Sequence, residues 1–481
     1  MANEQSSSHQ NLNKPVIIAV ILAGAFVVIL NQTLLNTAIP KIMADLSVSA
    51  NTAQWLTTGF MLTNGVMIPV TAFLIQKFST RQLFITAMSL FATGTLIAAF
   101  APSFPLLLIA RIVQAAGAGI MIPLMQTVFL LIFPVEKRGA AMGMVGLVIA
   151  FAPAIGPTLS GWIVESHSWR VLFYMILPIA LLDIIFATFA LKNVTKLTYP
   201  KIDIVSIILS SLGFGSLLYG FSSAGNNGWS STEVIIALIV GVITLGLFIW
   251  RQLTIQTPML EFRVFKNKIF ALTVLIGMIV MVSMIGVELL LPLYMQNARG
   301  YSPLESGLLL LPGAVVMGIM SPITGRVFDK IGARPLAIIG LAVVSIMTFL
   351  FSNMTASTTY TTMMIIYAIR MFGISLVMMP VMTAGLNQLP DQLIPHGTAM
   401  NNTMRQVAAS IGTATLVTVM TNNTKDAVQE HLSHPMIHGV SVAFMVAACL
   451  ALFALILSFF IKPMKTSKED TKESMEPVAE S

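Results

Sequence analysis

The chain has 481 residues, of which 56% are hydrophobic and only 9% are charged. A soluble globular protein carries about 25% charged residues, so that class is excluded. The net charge of +7 would suggest a nucleic-acid partner in a soluble protein; in a chain this apolar, the side on which each loop charge falls is the informative quantity.

Apolar runs of about 20 residues, the length a helix needs to cross a hydrocarbon core of roughly 30 Å, recur fourteen times. They cover 16–38, 54–76, 82–101, 105–131, 140–163, 170–191, 203–222, 233–250, 269–297, 305–326, 335–352, 359–386, 397–420 and 438–461. None alternates residue by residue, as a membrane β-strand must. The expected fold is an all-α polytopic membrane protein with 14 transmembrane helices. The first run is too long for a signal-peptide core and no small-residue cleavage site follows it, which points to an uncleaved first helix. The single cysteine, Cys449, rules out an internal disulfide.

With the N-terminus placed inside, 19 of the 26 Lys and Arg fall on the same side, among them Lys77, Arg81, Lys137, Arg138, Lys192, Lys196, Arg263, Lys266 and Lys268. Four fall in the opposite loops (Lys41, Arg170, Arg299, Lys425) and three inside spans. This asymmetry follows the positive-inside rule and puts both termini in the cytoplasm. It also accounts for the surplus charge without nucleic acid. All five Trp (55, 162, 169, 229, 250) lie at span ends or in a loop, as interfacial anchors do.

Basic stretches at Lys192–Lys201 and Arg251–Lys268 divide the helices into six, two and six. The expected organisation is an N-terminal tail (1–15), a six-helix bundle (16–191), two extra helices with flanking loops (192–267), a second six-helix bundle (268–462) and a charged, Ser/Thr-rich tail (463–481) of disordered character. The bundles look like a duplication. The segment 72-AFLIQKFSTR-81 returns 253 residues later as 325-GRVFDKIGAR-334, and Arg111 and Arg370 lie 259 residues apart, each in the fourth span of its set. Two related halves with a site at their interface is a transporter architecture. Asp203 and Glu233 sit at the edges of the extra pair and read as interfacial.

Five charges fall inside apolar spans: Arg111, Asp183, Glu288, Arg370 and Arg405. A charge at the bilayer centre costs roughly 2.5–3.5 kcal/mol on insertion scales, so such groups mark substrate pathways or proton relays. They sum to +1, which favours neutral, weakly basic or anionic cargo over dications.

In 325–334, Gly325 and Gly332 allow close approach and a tight turn. Asp329 is placed to cap a following helix and to pair with Arg326, Lys330 or Arg334 as a latch. The earlier copy has Ala72, Gln76 and Ser79 at the corresponding places and keeps Lys77 and Arg81. The pattern G-x-x-x-D-[RK]-x-G-x-R resembles the signature loop of the major facilitator superfamily. The fourth span, 111-RIVQAAGAG-119, resembles its R-x-x-Q-G-x-G motif, and 152-APAIGPTLSG-161, with Pro153, Gly156, Pro157 and Gly161, resembles its antiporter motif. With 30-LNQTLLNTAIP-40, 134-PVEKRGAAMG-143 and 401-NNTMRQVAASIG-412, the chain from about 15 to 462 resembles the fourteen-spanner drug:proton antiporter family, and above all lincomycin-type exporters. The resemblance implies a major facilitator fold (6 + 2 + 6 helices) in a bacterial cytoplasmic membrane.

Many members of that family carry Asp where Asn31 stands here, and Asn does not titrate. The repeat offset carries Asn31 to about residue 286, beside Glu288. Glu288 is therefore the first candidate for proton coupling, with Asp183 and Arg111 as further candidates; burial favours the neutral carboxyl and so allows uptake and release of a proton. The alternatives are a glutamate bonded to a neighbouring helix, an aspartate paired with an arginine, and, for Arg111 with Gln114 one turn away, a helix-locking donor. Asn31, Gln114, Arg370, Met378, Met379 and Arg405 are candidates for a substrate cavity, the Met supplying adaptable apolar surface. His431, His434 and His438 read as a solvated loop, so no metal is expected. There is no G-x-x-x-x-G-K-[ST], G-x-S-x-G or H-E-x-x-H, so the expectation is a secondary transporter and not an enzyme, driven by the proton gradient without other cofactors. It would export amphipathic compounds through the lipid bilayer as a monomer; export of an endogenous metabolite, peptide or nucleotide is the alternative.

Overall fold

The computed structural model describes residues 13–462, so the expected tail at 463–481 and most of 1–15 lie outside the described residues. Fourteen long α-helices follow one another: α1 (Lys14–Leu46), α2 (Ala50–Lys77), α3 (Thr80–Ala99), α4 (Phe104–Ile132), α5 (Arg138–Ser166), α6 (Arg170–Ala190), α7 (Ile204–Asn227), α8 (Thr232–Thr254), α9 (Lys268–Leu293), α10 (Pro303–Ile331), α11 (Ala333–Ser352), α12 (Tyr360–Leu386), α13 (Ile394–Gln429) and α14 (Pro435–Ser458). Thirteen of them are long and apolar enough to cross a membrane. The exception, α13, has 36 residues, about 54 Å at 1.5 Å per residue. Its run 401-NNTMRQ-406 lowers its hydropathy because these polar groups face protein instead of lipid; Asn401 and Thr403 are buried.

The helices start where the chain supplies caps. Ser79 takes an extended conformation and forms a capping box with Gln82 at the head of α3. That explains the serine in the degraded copy of the loop: the equivalent residue, Gly332, has φ 79° and introduces α11 without a side-chain cap. Ser302 and Glu305 form a second box on α10.

Helices α1–α6 pack as one bundle and α9–α14 as another. Of the apolar spans, α4 and α12 are the most enclosed, and they are the ones that carry Arg111 and Arg370. The bundles meet along α5 with α10 and α12, and along α13 with α2 and α4. Of the extra pair, α7 lies on both α2 and α13, while α8 packs on α7 and exposes Ile235, Ile239 and Val242. Trp55 of α2 stacks on Tyr219 of α7 at 5.9 Å. Trp229, between α7 and α8, donates its Nε1 hydrogen to Thr418 Oγ1 of α13 at 2.7 Å. The extra helices thus lean on both bundles at one seam. Asp203 caps α7 through the Ser206 amide and pairs with Arg251 at 2.9 Å.

The α5–α10 seam depends on glycine at one end. A Cβ on Gly325 would overlap the Gly139 carbonyl, and one on Gly143 would lie 2.7 Å from the Ser321 carbonyl oxygen. Such backbone contact holds membrane helices together where no hydrophobic force distinguishes protein from lipid. Further along, the same helices face a cavity. Gly325→Val and Gly143→Val are expected to lower the melting temperature in detergent through overpacking of about 1–3 kcal/mol. Gly161→Ala, at a site with nothing within 4 Å, is expected to leave it in place. Equal melting curves for all three would remove the seam as a close contact.

Candidate functional site

A cavity of about 510 Å³ opens between the bundles, lined from α1, α2, α4, α5, α9, α10, α12 and α13. Its α5 wall is Pro153, Ala154, Pro157 and Thr158, its α10 wall Gly307 to Met317. Proline lacks an amide hydrogen, so Pro153 and Pro157 leave the carbonyls of Ile149 and Pro153 without helical donors. Met281, Met284, Met317, Met371 and Met378 supply polarizable apolar surface. Two charged residues are among the lining: Glu288 of α9 and Arg405 of α13.

Glu288 has no hydrogen-bond or ion-pair partner among the described residues, and it lies within electrostatic reach of Arg370. Arg405 Nη2 donates to Met281 Sδ at 3.8 Å, a weak acceptor. No carboxylate meets its guanidinium among the described residues. Asn402 and Gln406 lie beside it on α13, with Gln32 of α1 and Asn64 of α2 in the same lining. Asn402 also donates to Gln126 Oε1 of α4 at 2.6 Å, which ties the two bundles together below the cavity.

The other intramembrane charges stand away from the cavity. Arg111 reaches the Leu56 carbonyl and donates to Gln114 Oε1 at 2.9 Å. It also stacks over Phe60 at 4.2 Å, and Gln114 passes the chain of bonds on to Thr95 Oγ1 at 2.8 Å. No carboxylate joins it among the described residues. Arg370 is fully buried and donates to Thr348 Oγ1 at 3.0 Å and to the Ser283 carbonyl at 2.8 Å. Its Nη1 has no partner. Thr95 and Thr348 are themselves 253 residues apart, the offset of the repeat, so both arginine networks end on equivalent threonines. Each network ties a central helix to its neighbours.

Four residues expected in the cavity are therefore placed elsewhere. Gln114 and Arg370 are consumed by these networks, and Met379 packs against Gly146 in the α5–α12 contact. Asn31 is buried with its Nδ2 unpartnered, while its neighbour Gln32 faces the cavity. Helix rotation decides this: adjacent residues point about 100° apart. Met378 and Arg405 do line the cavity. Asp183 does not. It is buried beside Gly24 of α1 with Oδ2 unpartnered, and no arginine is bonded to it among the described residues, so the alternative of an aspartate paired with an arginine is not what the structure shows.

The basic end of the bundle is sealed. Asp329 accepts the amide hydrogens of Gly139 at 2.7 Å and Ala140 at 2.8 Å. It caps α5, in the other bundle, and neither caps α11 nor pairs with Arg326, Lys330 or Arg334 among the described residues. The reason is proximity: the Gly139–Gly325 contact brings the open amides of α5 directly to it, and a helix N-terminus favours a negative group. Arg138 reaches Asn387 and Asp391, the latter at 3.0 Å. At the repeat-related place, Gln76 of α2 meets the ring of His396 near the start of α13, and His396 Nδ1 accepts the Glu261 amide hydrogen. At the opposite end, Arg170 and Trp169 both donate to Asp45, and these hydrogen bonds, Arg170 first, hold its carboxyl below the usual carboxylate range. Sequence reasoning missed the parts played by Asn402, Gln126 and His396. The NN and QTV contexts of the amides give no pattern, because their partners lie 276 residues away.

The sequence profile of the Major Facilitator Superfamily matches residues 21–413. The chain belongs to the major facilitator superfamily. It is 59% identical over 457 residues to the uncharacterized MFS-type transporter YcnB of Bacillus subtilis, covering 95% of this chain and 97% of that one. It is 45% identical over 469 residues to the lincomycin resistance protein LmrB of the same organism, covering 95% and 98%. Among solved structures, the proton:xylose symporter XylE superposes with a TM-score of 0.67 at 13% identity, over 93% of this chain and 96% of that one; this likeness concerns the fold. As a member of this superfamily the chain is a multi-pass protein of the cytoplasmic membrane and a small-molecule transporter, not an enzyme. Here Asp329 latches α10 to α5.

The split between cavity and scaffold is testable. Arg111→Lys loses the planar fork that serves Leu56 and Gln114. It is expected to lower the melting temperature while substrate affinity stays within about twofold. Asp329→Asn, in a Cys449→Ser background with Ser321→Cys, is expected to increase thiol labelling at the basic end severalfold, because bonds to a charged acceptor contribute about 1.5–3 kcal/mol each. Unchanged labelling would show that the cap does not hold the seam shut.

Proposed function

We propose that the protein is a drug:proton antiporter that exports amphipathic compounds by alternating access. One observation carries this reading: Glu288 is the only carboxylate among the residues lining the central cavity. The relation to a lincomycin resistance protein supports drug export. The charge asymmetry of the loops supports placing the basic end and both termini in the cytoplasm, with α13 bringing the number of spans to fourteen. In that orientation the cavity lies toward the outer ends of α5 and α10, in a state closed to the cytoplasm.

In the proposed cycle Glu288 takes up a proton from outside while the basic end is shut. Opening of the Asp329 and Arg138 contacts then exposes the cavity to the cytoplasm, where the proton leaves and substrate enters. Pro153 and Pro157, at the point where α5 leaves α10, free the backbone to accommodate the rocking. Arg370, held by Ser283 and Thr348, offsets the charge of the ionised carboxylate from behind without closing off its oxygens. Asp183, which is not part of this lining, takes no part in the cycle. The cavity is complete within one chain, so a monomer suffices, with lipid covering apolar faces such as that of α8. The cycle requires the proton gradient and no other cofactor.

Vesicles with an imposed pH gradient test the coupling. Glu288→Gln is expected to reduce gradient-driven efflux to near the rate without a gradient, measured at saturating substrate so that a change in affinity does not account for the loss. Asp183→Asn is expected to retain gradient-driven efflux. Full coupling in the Glu288→Gln variant would sink the assignment.

A further inference from the structure

We propose that the preferred cargo of the cavity is an amphipathic zwitterion, with its anionic group on Arg405 and its cationic group at Glu288. The proposal builds on the efflux reading above and names the substrate class of that same site.

Three observations carry it. First, Arg405 and Glu288 both line the cavity, yet neither meets an opposite charge in hydrogen-bonding contact among the described residues. The only bond made by the Arg405 guanidinium is to the Met281 sulfur. A guanidinium offers five donors in a planar fork suited to a carboxylate, and that of Arg405 borders the cavity where such a group can reach it. The other two intramembrane arginines are each bonded to oxygen acceptors of the protein away from the cavity, so Arg405 differs from them in facing the cavity with a sulfur as its bonded acceptor.

Second, the two charges are held apart on one face. Met281, Met284 and Glu288 follow one another at i, i+3 and i+7 on α9 and all line the cavity. Seven residues make nearly two turns and a rise of about 10 Å. Arg405 is anchored at the Met281 level, so the carboxylate and the guanidinium are separated by roughly that distance along the wall. They are too far apart to neutralise each other by contact. A ligand with an amine and a carboxylate at opposite ends of a rigid body spans them.

Third, the surface between them is apolar and adaptable. Met284 lies between the two on α9, and Met317, Met371 and Met378 face the same space. Such a wall receives an aromatic or alicyclic body without demanding one shape.

The arrangement also gives the exchange its direction. A cationic group at Glu288 and a proton compete for one carboxylate, so loading one displaces the other, while Arg405 holds the other end of the cargo throughout. A purely anionic cargo would bind best with Glu288 protonated, and proton and cargo would then travel together.

The test uses the full-length protein in lipid nanodiscs and three probes built on one rigid bicyclic aromatic body: an amino acid with the groups about 10 Å apart, its methyl ester and its N-acetyl derivative. Affinities are read by equilibrium binding at a pH where the amine is charged. The zwitterion is expected to bind at least tenfold more tightly than either the ester or the N-acetyl acid. In Arg405→Gln the ratio of zwitterion to ester affinity is expected to collapse to about one, and Arg405→Lys to retain part of it. A melting curve and the ester affinity identify a variant that has not folded, in which case Arg405→Lys alone decides. An ester as good as the zwitterion, an N-acetyl acid as good as the zwitterion, no binding by any probe, or an unchanged ratio in folded Arg405→Gln would each overturn the proposal. These readings need no proton gradient, so they stand or fall separately from the coupling role of Glu288.

Discussion

The approach of α5 to α10 at the basic end organises the rest of the molecule. Two glycines let the backbones touch, and the contact delivers the unsatisfied amides of Gly139 and Ala140 to the Asp329 carboxylate. A helix start leaves its first amides without helical partners, and the backbone contact is what brings them to Asp329, so the cap and the contact depend on each other. With the helices pinned at that end, their other ends are free to stand apart, and the cavity occupies the space they leave.

The two bundles share a frame but not a chemistry. In both, a central helix carries an arginine network that ends on a threonine at the repeat-related place, Thr95 or Thr348. At the basic end the repeat brings Asp329 to the start of α5 and Gln76 to His396 near the start of α13, a charged cap on one side and a neutral contact on the other. The carboxylate and the guanidinium of the cavity both come from the second bundle. The first bundle contributes amides and prolines to the wall. In physical terms, each bundle needs its own scaffold bonds, while a charge in the shared cavity is needed once.

The extra helices α7 and α8 fit the same account. They add no charge to the cavity lining. Their polar work is confined to their ends, where Asp203 meets Arg251 and Trp229 meets Thr418. Between these ends α7 covers the seam where α2 meets α13, and α8 turns an aliphatic face outward.

The helices, their order and the duplicated halves were legible in the sequence because hydrocarbon thickness sets span length and backbone satisfaction allows only helices. Even α13, whose polar run removes it from a simple hydropathy criterion, stood among the fourteen runs as 397–420. The intramembrane charges were legible for the same reason, since each stands out against an apolar background. Their roles were not. Arg111, Arg370 and Arg405 look alike in sequence, yet two are spent on serine, threonine, glutamine and backbone acceptors, and one is left facing the cavity. Asp183 and Glu288 look alike too, yet one is packed beside Gly24 and the other borders open space. Which way a helix is rotated, and which residue a few hundred positions away fills the gap opposite, is decided by packing between helices. Sequence by itself determined what had to be inside the membrane; only the tertiary structure decided what those groups face.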